Sequence, residues 1–68
     1  MRNAVIFEPT DKSYSAYVPD LPGCVATGRT RSEVANRIRE AIALHIEGLR
    51  EQGESVPVPH VWTELVEA

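Results

Sequence analysis

The sequence predicts an α+β fold, in which one amphipathic helix packs on one face of a small antiparallel sheet. Three short stretches rich in β-branched and aromatic residues come first, polar and proline-containing turns separate them, and one stretch with helical periodicity follows. A later alternating stretch extends the predicted order to β-β-β-α-β. Because the chain has 68 residues, we expect a single domain over residues 1–68.

Residues 3–9 predict the first strand, which Pro9 ends because proline has no N–H group for a sheet ladder. Apolar side chains occur at both alternating sets of positions, with Val5 and Phe7 in one set and Ala4 and Ile6 in the other. A strand that is apolar on both faces is typical of a central position. We therefore expect it to be covered on both sides, on one of them by a second copy of the chain.

Residues 13–18 predict the second strand, with Tyr14 and Ala16 on one face and Tyr17 on the other. A proline-rich loop follows, and Pro22-Gly23 fits a type II turn because glycine adopts the positive φ that this turn needs at its third position. Residues 24–29 predict the third strand.

The spacing Thr30-x-x-Glu33 is that of a capping box, in which both side chains satisfy free N–H groups at a helix start. Apolar residues then recur every three or four positions and end before Gly53, a plausible helix stop. These residues are Val34, Ile38, Ala41, Ile42, His45 and Leu49. Beyond the helix, residues 64–67 predict a fourth strand, although a short helix also fits.

Charge and composition exclude several classes of function. Seven basic and ten acidic residues leave a net charge of −3, which disfavours nonspecific binding to nucleic acid and favours a basic protein partner. The sequence has neither a long apolar run nor a signal peptide, so we expect a cytoplasmic protein that does not enter membranes. With one cysteine and no zinc-ligand spacing, we expect no disulfide, metal ion or cofactor.

A chain this short buries a small core, because its surface is large relative to its volume. One helix covers only one face of a sheet, so the opposite face is a candidate association surface. These two considerations predict a homo-dimer or homo-tetramer.

Four segments form a specific pattern that spans nearly the whole chain. They are Phe7-Glu8-Pro9, residues 14–24 with the run Val-Pro-Asp-Leu-Pro-Gly-Cys, Gly28-x-Thr30, and residues 40–45 with Ala-Ile-x-Leu-His. A chain with this pattern resembles the HicB family of antitoxins from bacterial toxin–antitoxin systems, including the short HicB-like proteins.

The resemblance implies a partial version of the ribonuclease H architecture that binds and masks a small basic ribonuclease toxin, which cleaves messenger RNA. Longer relatives add a helix-turn-helix or ribbon-helix-helix segment that binds promoter DNA. This sequence stops at Ala68 without such a segment, so direct DNA binding is not expected.

The candidate binding residues, for a toxin or for a second copy, are Tyr17, Asp20, Leu21, Pro22 and Trp62. The residues expected to hold the fold are Pro19, Gly23, Cys24, Thr30, Glu33 and His45. Two interpretations of the proline-rich loop stay open. In one, Asp20 caps nearby N–H groups and the turn is purely structural; in the other, the rigid turn presents Leu21 to a partner.

Two alternative functions belong to other classes. The first is an orphan homo-oligomeric scaffold or regulator without a toxin. The second is a metal-dependent nuclease that uses Glu8, Asp11 and Asp20, although solvated surface carboxylates explain these residues better. A nucleophilic role for Cys24 lacks a paired histidine, so a small buried residue is the preferred interpretation.

Overall fold

The computed structural model describes residues 2–68 and contains three strands followed by one helix. The elements are β1 (Ile6–Pro9), β2 (Tyr14–Tyr17), β3 (Val25–Gly28) and α1 (Arg31–Glu51). The strands form one antiparallel sheet in the order β1-β2-β3, and α1 packs over β2 and β3. The predicted α+β fold, with one helix on one face of an antiparallel sheet, is confirmed.

The register of the sheet assigns each side chain to a face. Ala16 in β2 pairs with Phe7 in β1 and Ala26 in β3, and side chains directly opposite one another share a face. Ala16 is buried in the core beneath the helix. The next row, with Tyr17 at its centre, therefore lies on the face that α1 leaves open.

The first strand is at an edge of the sheet, so the predicted central position is wrong. Cover of its second face by another copy of the chain stays a prediction. β1 pairs only with β2, and three of its four residues are exposed. Its apolar composition was a poor guide because Phe7 lies at the margin of the helix-side face, where cover is incomplete. Pro9 is tolerated at the strand's end, where no ladder N–H is needed.

Helix α1 has well-formed ends. Thr30 is the N-cap, and its hydroxyl accepts a hydrogen bond from the Glu33 N–H at 3.1 Å. The Glu33 carboxylate in turn accepts from the N–H of Arg29 at 3.3 Å, one residue earlier than in the usual capping box. The predicted capping interaction is thus confirmed with a small shift.

The helix ends in a Schellman motif. The Glu54 N–H donates to the Leu49 carbonyl at 2.8 Å and the Gly53 N–H donates to the Arg50 carbonyl at 3.1 Å. Gly53 has a φ of +71°, the left-handed conformation that this motif needs. The predicted stop at this glycine is confirmed.

The core lies between the sheet and the first half of α1. Its buried residues are Ala16, Val18, Leu21, Cys24, Val34 and Ile38. Gly28 permits the close packing of β3 on the helix, because a Cβ atom there would lie 2.7 Å from the backbone nitrogen of Val34.

The second half of α1 extends past the sheet. A helix of 21 residues is about 31 Å long, whereas a four-residue strand spans only about 13 Å. Val34 and Ile38 are buried, but the later residues of the apolar stripe, including Ile42 and Leu49, are only half-buried. In the described part of the chain, no helix combines the length and the apolar character needed to cross a bilayer.

The stretch that follows α1, here termed the post-helix segment (residues 54–68), contains neither helix nor strand. The strand predicted at residues 64–67 is therefore not formed, and the observed order is β-β-β-α. A strand needs a neighbouring strand for its N–H and C=O groups, and this segment pairs with none of the three described here. The alternation of side chains in residues 64–67 did not reveal whether a neighbouring strand was available.

Candidate partner-binding surfaces

The loop of residues 18–24 closes on itself through backbone hydrogen bonds. The Val18 N–H donates to the Cys24 carbonyl at 3.1 Å, and the Cys24 N–H donates to the Leu21 carbonyl at 3.0 Å. Gly23 has a φ of +86°, as expected for the third position of a type II turn after Pro22. The predicted turn is confirmed, and Pro22 and Gly23 are its exposed tip.

Leu21 lies inside this loop and points into the core. Only 1% of its surface is exposed, and it is among the largest fully buried side chains. Its side chain is therefore not available to a partner, and the hypothesis that the turn presents Leu21 is wrong. The loop encloses its own leucine because its three core residues, Val18, Leu21 and Cys24, join one hydrophobic cluster with the helix.

Asp20 is the buried charged residue of the loop, with 1% of its side chain exposed. Its Oδ2 atom accepts hydrogen bonds from two backbone N–H groups of the post-helix segment, His60 at 3.2 Å and Val61 at 3.0 Å. Its Oδ1 atom lies 2.5 Å from Nδ1 of His60, an ion-pair distance when the imidazole is protonated.

Asp20 therefore anchors a segment 40 residues away along the chain. Both earlier interpretations of this carboxylate, a cap for nearby N–H groups and a solvated surface charge, are wrong. Sequence reasoning missed this contact because a side chain that caps distant backbone leaves no periodic pattern. His60 follows two Val-Pro pairs, which marks an irregular segment but not its partner.

The open face of the sheet carries an apolar row across all three strands. Ile6, Tyr17 and Val25 are paired in register, and Tyr17 is 41% exposed. Tyr17 therefore faces away from the helix, an orientation that the sequence left open. A role for it in binding stays a prediction.

The post-helix segment carries a second set of exposed apolar side chains. Trp62 is 77% exposed and Leu65 is fully exposed. The large exposed hydrophobic residues of the segment are Val58, Trp62, Leu65 and Val66. Of the other aromatic residues, Tyr14 packs against the core, whereas Trp62 does not.

Residues 3–68 match the model of the HicB-like antitoxin of bacterial toxin–antitoxin systems. The chain belongs to this family. The resemblance carried by the Pro-Asp-Leu-Pro-Gly-Cys loop and the helix is thereby confirmed.

Relatives of this HicB-like chain occur in phages and archaea. A 14.9 kDa protein of Haemophilus phage HP1 is 42% identical over 53 residues, which are 78% of this chain and 40% of the phage protein. A UPF0150 protein of Thermoplasma acidophilum is 40% identical over 53 residues, covering 78% of this chain and 77% of the relative. The chain thus spans less than half of the phage relative.

Among solved structures, a chain of the HicA3 and HicB3 toxin–antitoxin complex is similar, with a TM-score of 0.71 and 33% sequence identity. The similarity covers 81% of this chain and 64% of that chain. About a third of the solved chain therefore has no counterpart here.

Cys24, His45 and Pro19 are buried or half-buried. Cys24 is buried, and burial raises the pKa of its thiol because the thiolate would lose its hydration. A raised thiol pKa disfavours the nucleophilic form, in agreement with the prediction of a small buried residue. His45 is half-buried on α1, and Pro19 is half-buried at the start of the loop.

The carboxylates of the nuclease alternative are not brought together. Glu8 is on the edge strand, Asp11 is in the first turn and Asp20 is buried beneath the post-helix segment. Within residues 2–68, no three His, Cys, Asp or Glu side chains form a cluster that could hold a metal ion.

Proposed function

We propose that this chain is an antitoxin that binds a small ribonuclease toxin and blocks its active site by covering it. The observation that carries the proposal is the similarity, at 33% identity and a TM-score of 0.71, to a chain of a toxin–antitoxin complex. The match of residues 3–68 to the antitoxin family supports the same role. Such a mechanism requires complementary surfaces and no chemical step by this chain.

Charge supports a ribonuclease as the partner. An enzyme that binds RNA must hold phosphate groups, so its binding surface is basic. This chain has a net charge of −3, which attracts a basic surface at long range and raises the association rate.

A mixing assay tests the proposal. The candidate toxin is the product of any small basic reading frame found adjacent to the gene, and its cleavage of messenger RNA is followed by gel electrophoresis. We expect cleavage to stop when the chain is present at equimolar concentration or above, because each bound toxin loses access to RNA. Cleavage that persists at a tenfold excess of this chain would refute the proposal.

Self-association is a second candidate function, and the open face of the sheet favours it. Ile6, Tyr17 and Val25 form an apolar row on the face opposite α1, in which Ile6 is half-buried and Tyr17 and Val25 are exposed. We propose that this row joins copies of the chain into a dimer or tetramer. Sedimentation velocity at micromolar concentration should give a mass above that of the 7.5 kDa monomer, and Tyr17→Glu should shift it to the monomer.

A further inference from the structure

The net charge of this protein is confined to one region. The post-helix segment contains three glutamates, Glu54, Glu64 and Glu67, and no lysine or arginine. The other 53 residues hold seven acidic and seven basic side chains and are formally neutral. The formal charge of −3 therefore belongs to the segment, although it is less than a quarter of the chain.

The same segment exposes apolar surface to water. Trp62, Leu65 and Val66 project with little cover from the described chain. Exposed tryptophan is costly in water and is enriched among the residues that dominate binding energy. A segment that is both acidic and aromatic fits a surface that is basic and accepts flat rings.

Asp20 holds this segment in place before any partner arrives. Its carboxylate fixes the backbone at His60 and Val61, directly before Trp62. Pro57 and Pro59 restrict the residues that precede them to extended conformations. A segment that is already anchored loses less conformational entropy on binding than a free tail.

We propose that residues 61–68 are the part of the protein that binds the toxin, and that they occupy its RNA-binding surface in place of RNA. This inference rests on the proposed antitoxin function. Trp62 takes the position of an unstacked base, since aromatic rings and bases stack on the same sites. Glu64 and Glu67 pair with the basic side chains that otherwise hold phosphate groups.

A second copy of this chain is a poorer occupant for the segment. The remaining 53 residues of a second copy carry as many acidic as basic side chains, so they offer the three glutamates no net attraction. Two such segments placed side by side would repel each other. A basic RNA-binding surface can both pair with the glutamates and stack against the ring of Trp62.

Matched variants test the assignment in the full-length chain. Trp62→Ala removes the aromatic anchor, and its control, Leu44→Ala, truncates an apolar side chain of α1 that is 68% exposed. Glu64→Gln with Glu67→Gln removes two charges, and its control is Glu40→Gln with Glu47→Gln on the exposed surface of α1. The probe is the candidate toxin of the mixing assay, with affinity measured by biolayer interferometry.

We expect Trp62→Ala to weaken toxin binding at least tenfold. We expect the double variant Glu64→Gln with Glu67→Gln to associate with the toxin several-fold more slowly and with a smaller dependence on salt. Both controls should bind within twofold of the wild type. The segment variants should also be weaker at displacing a 2′-O-methyl RNA oligonucleotide from the toxin. This RNA cannot be cleaved through its 2′-hydroxyl groups. All four proteins should unfold at similar temperatures, because the substituted side chains are exposed.

The outcomes separate this inference from the proposed function. Wild-type binding that the segment variants leave unchanged overturns the inference and leaves the antitoxin function intact. Unchanged toxin affinity for Trp62→Ala, with loss of self-association in sedimentation, also overturns it and assigns the segment to a second copy. A wild-type chain that neither binds nor inhibits the toxin overturns both.

Discussion

The core and the post-helix segment are both rich in hydrophobic residues, yet only one of them is buried. The core residues lie on β2, on α1 and in the loop of residues 18–24, where backbone groups are paired within the sheet, the helix or the loop itself. The post-helix segment has valine, tryptophan and leucine, but its backbone pairs with no strand of residues 2–68. The difference shows that apolar composition directs a residue to the interior only where the backbone also has partners.

The two leucines Leu21 and Leu44 offer the strongest test of this difference. Leu21 is 1% exposed and Leu44 is largely exposed, although both have the same side chain. We expect Leu21→Ala to lower the free energy of unfolding by roughly 2–5 kcal/mol, because it leaves a cavity in a small core. Leu44→Ala should change it by less than about 0.5 kcal/mol. Urea denaturation followed by circular dichroism measures both.

Equal effects for the two leucine variants would contradict the placement of Leu21 in the core. Leu21→Ala could also fail to fold, since the core is small. In that case Leu21→Met, which conserves volume, should fold with a cost below about 1.5 kcal/mol.

Gly28 and Gly48 differ in how closely other atoms pack around them. A Cβ atom at Gly28 would meet the Val34 backbone, whereas a Cβ at Gly48 would have no neighbour within 4 Å. We expect Gly28→Ala to destabilise the protein by roughly 1–3 kcal/mol through displacement of α1 from β3. Gly48→Ala should stabilise it by about 0.5–1 kcal/mol, because alanine favours a helix interior. Thermal melts of the two variants should therefore shift in opposite directions.

Asp20 joins the two regions, so its replacement should release the segment while the core persists. We expect Asp20→Ala to cost about 1 kcal/mol, the lower part of the range for lost hydrogen bonds, because the freed N–H groups reach water. Amide hydrogen exchange should show loss of protection at His60 and Val61 and unchanged protection in β2. The control is Asp11→Ala, at an exposed position of the first turn.

Protection that persists at His60 and Val61 in Asp20→Ala would show that other contacts hold the segment. Loss of protection throughout β2 would show instead that the segment is part of the cooperative core. Either result would remove the distinction between the two regions.

Local features of the fold were predictable from the sequence because they depend on neighbours a few residues apart. The Thr30 cap, the Gly53 stop and the turn at Pro22-Gly23 each follow from conformational preferences within four or five residues. The candidate site was less predictable. Tyr17 and Trp62 are exposed as a binding role requires, whereas Leu21 is in the core.

The sequence by itself determined the three strands of the sheet, the helix and the two helix ends, because periodicity and capping act locally. Only the tertiary structure decided that β1 lies at the sheet edge, that Leu21 is buried and that residues 64–67 form no strand. It also decided that Asp20 holds His60 and Val61. These outcomes depend on which distant groups meet in space, and hydrogen-bond partners 40 residues apart leave no trace in local sequence patterns.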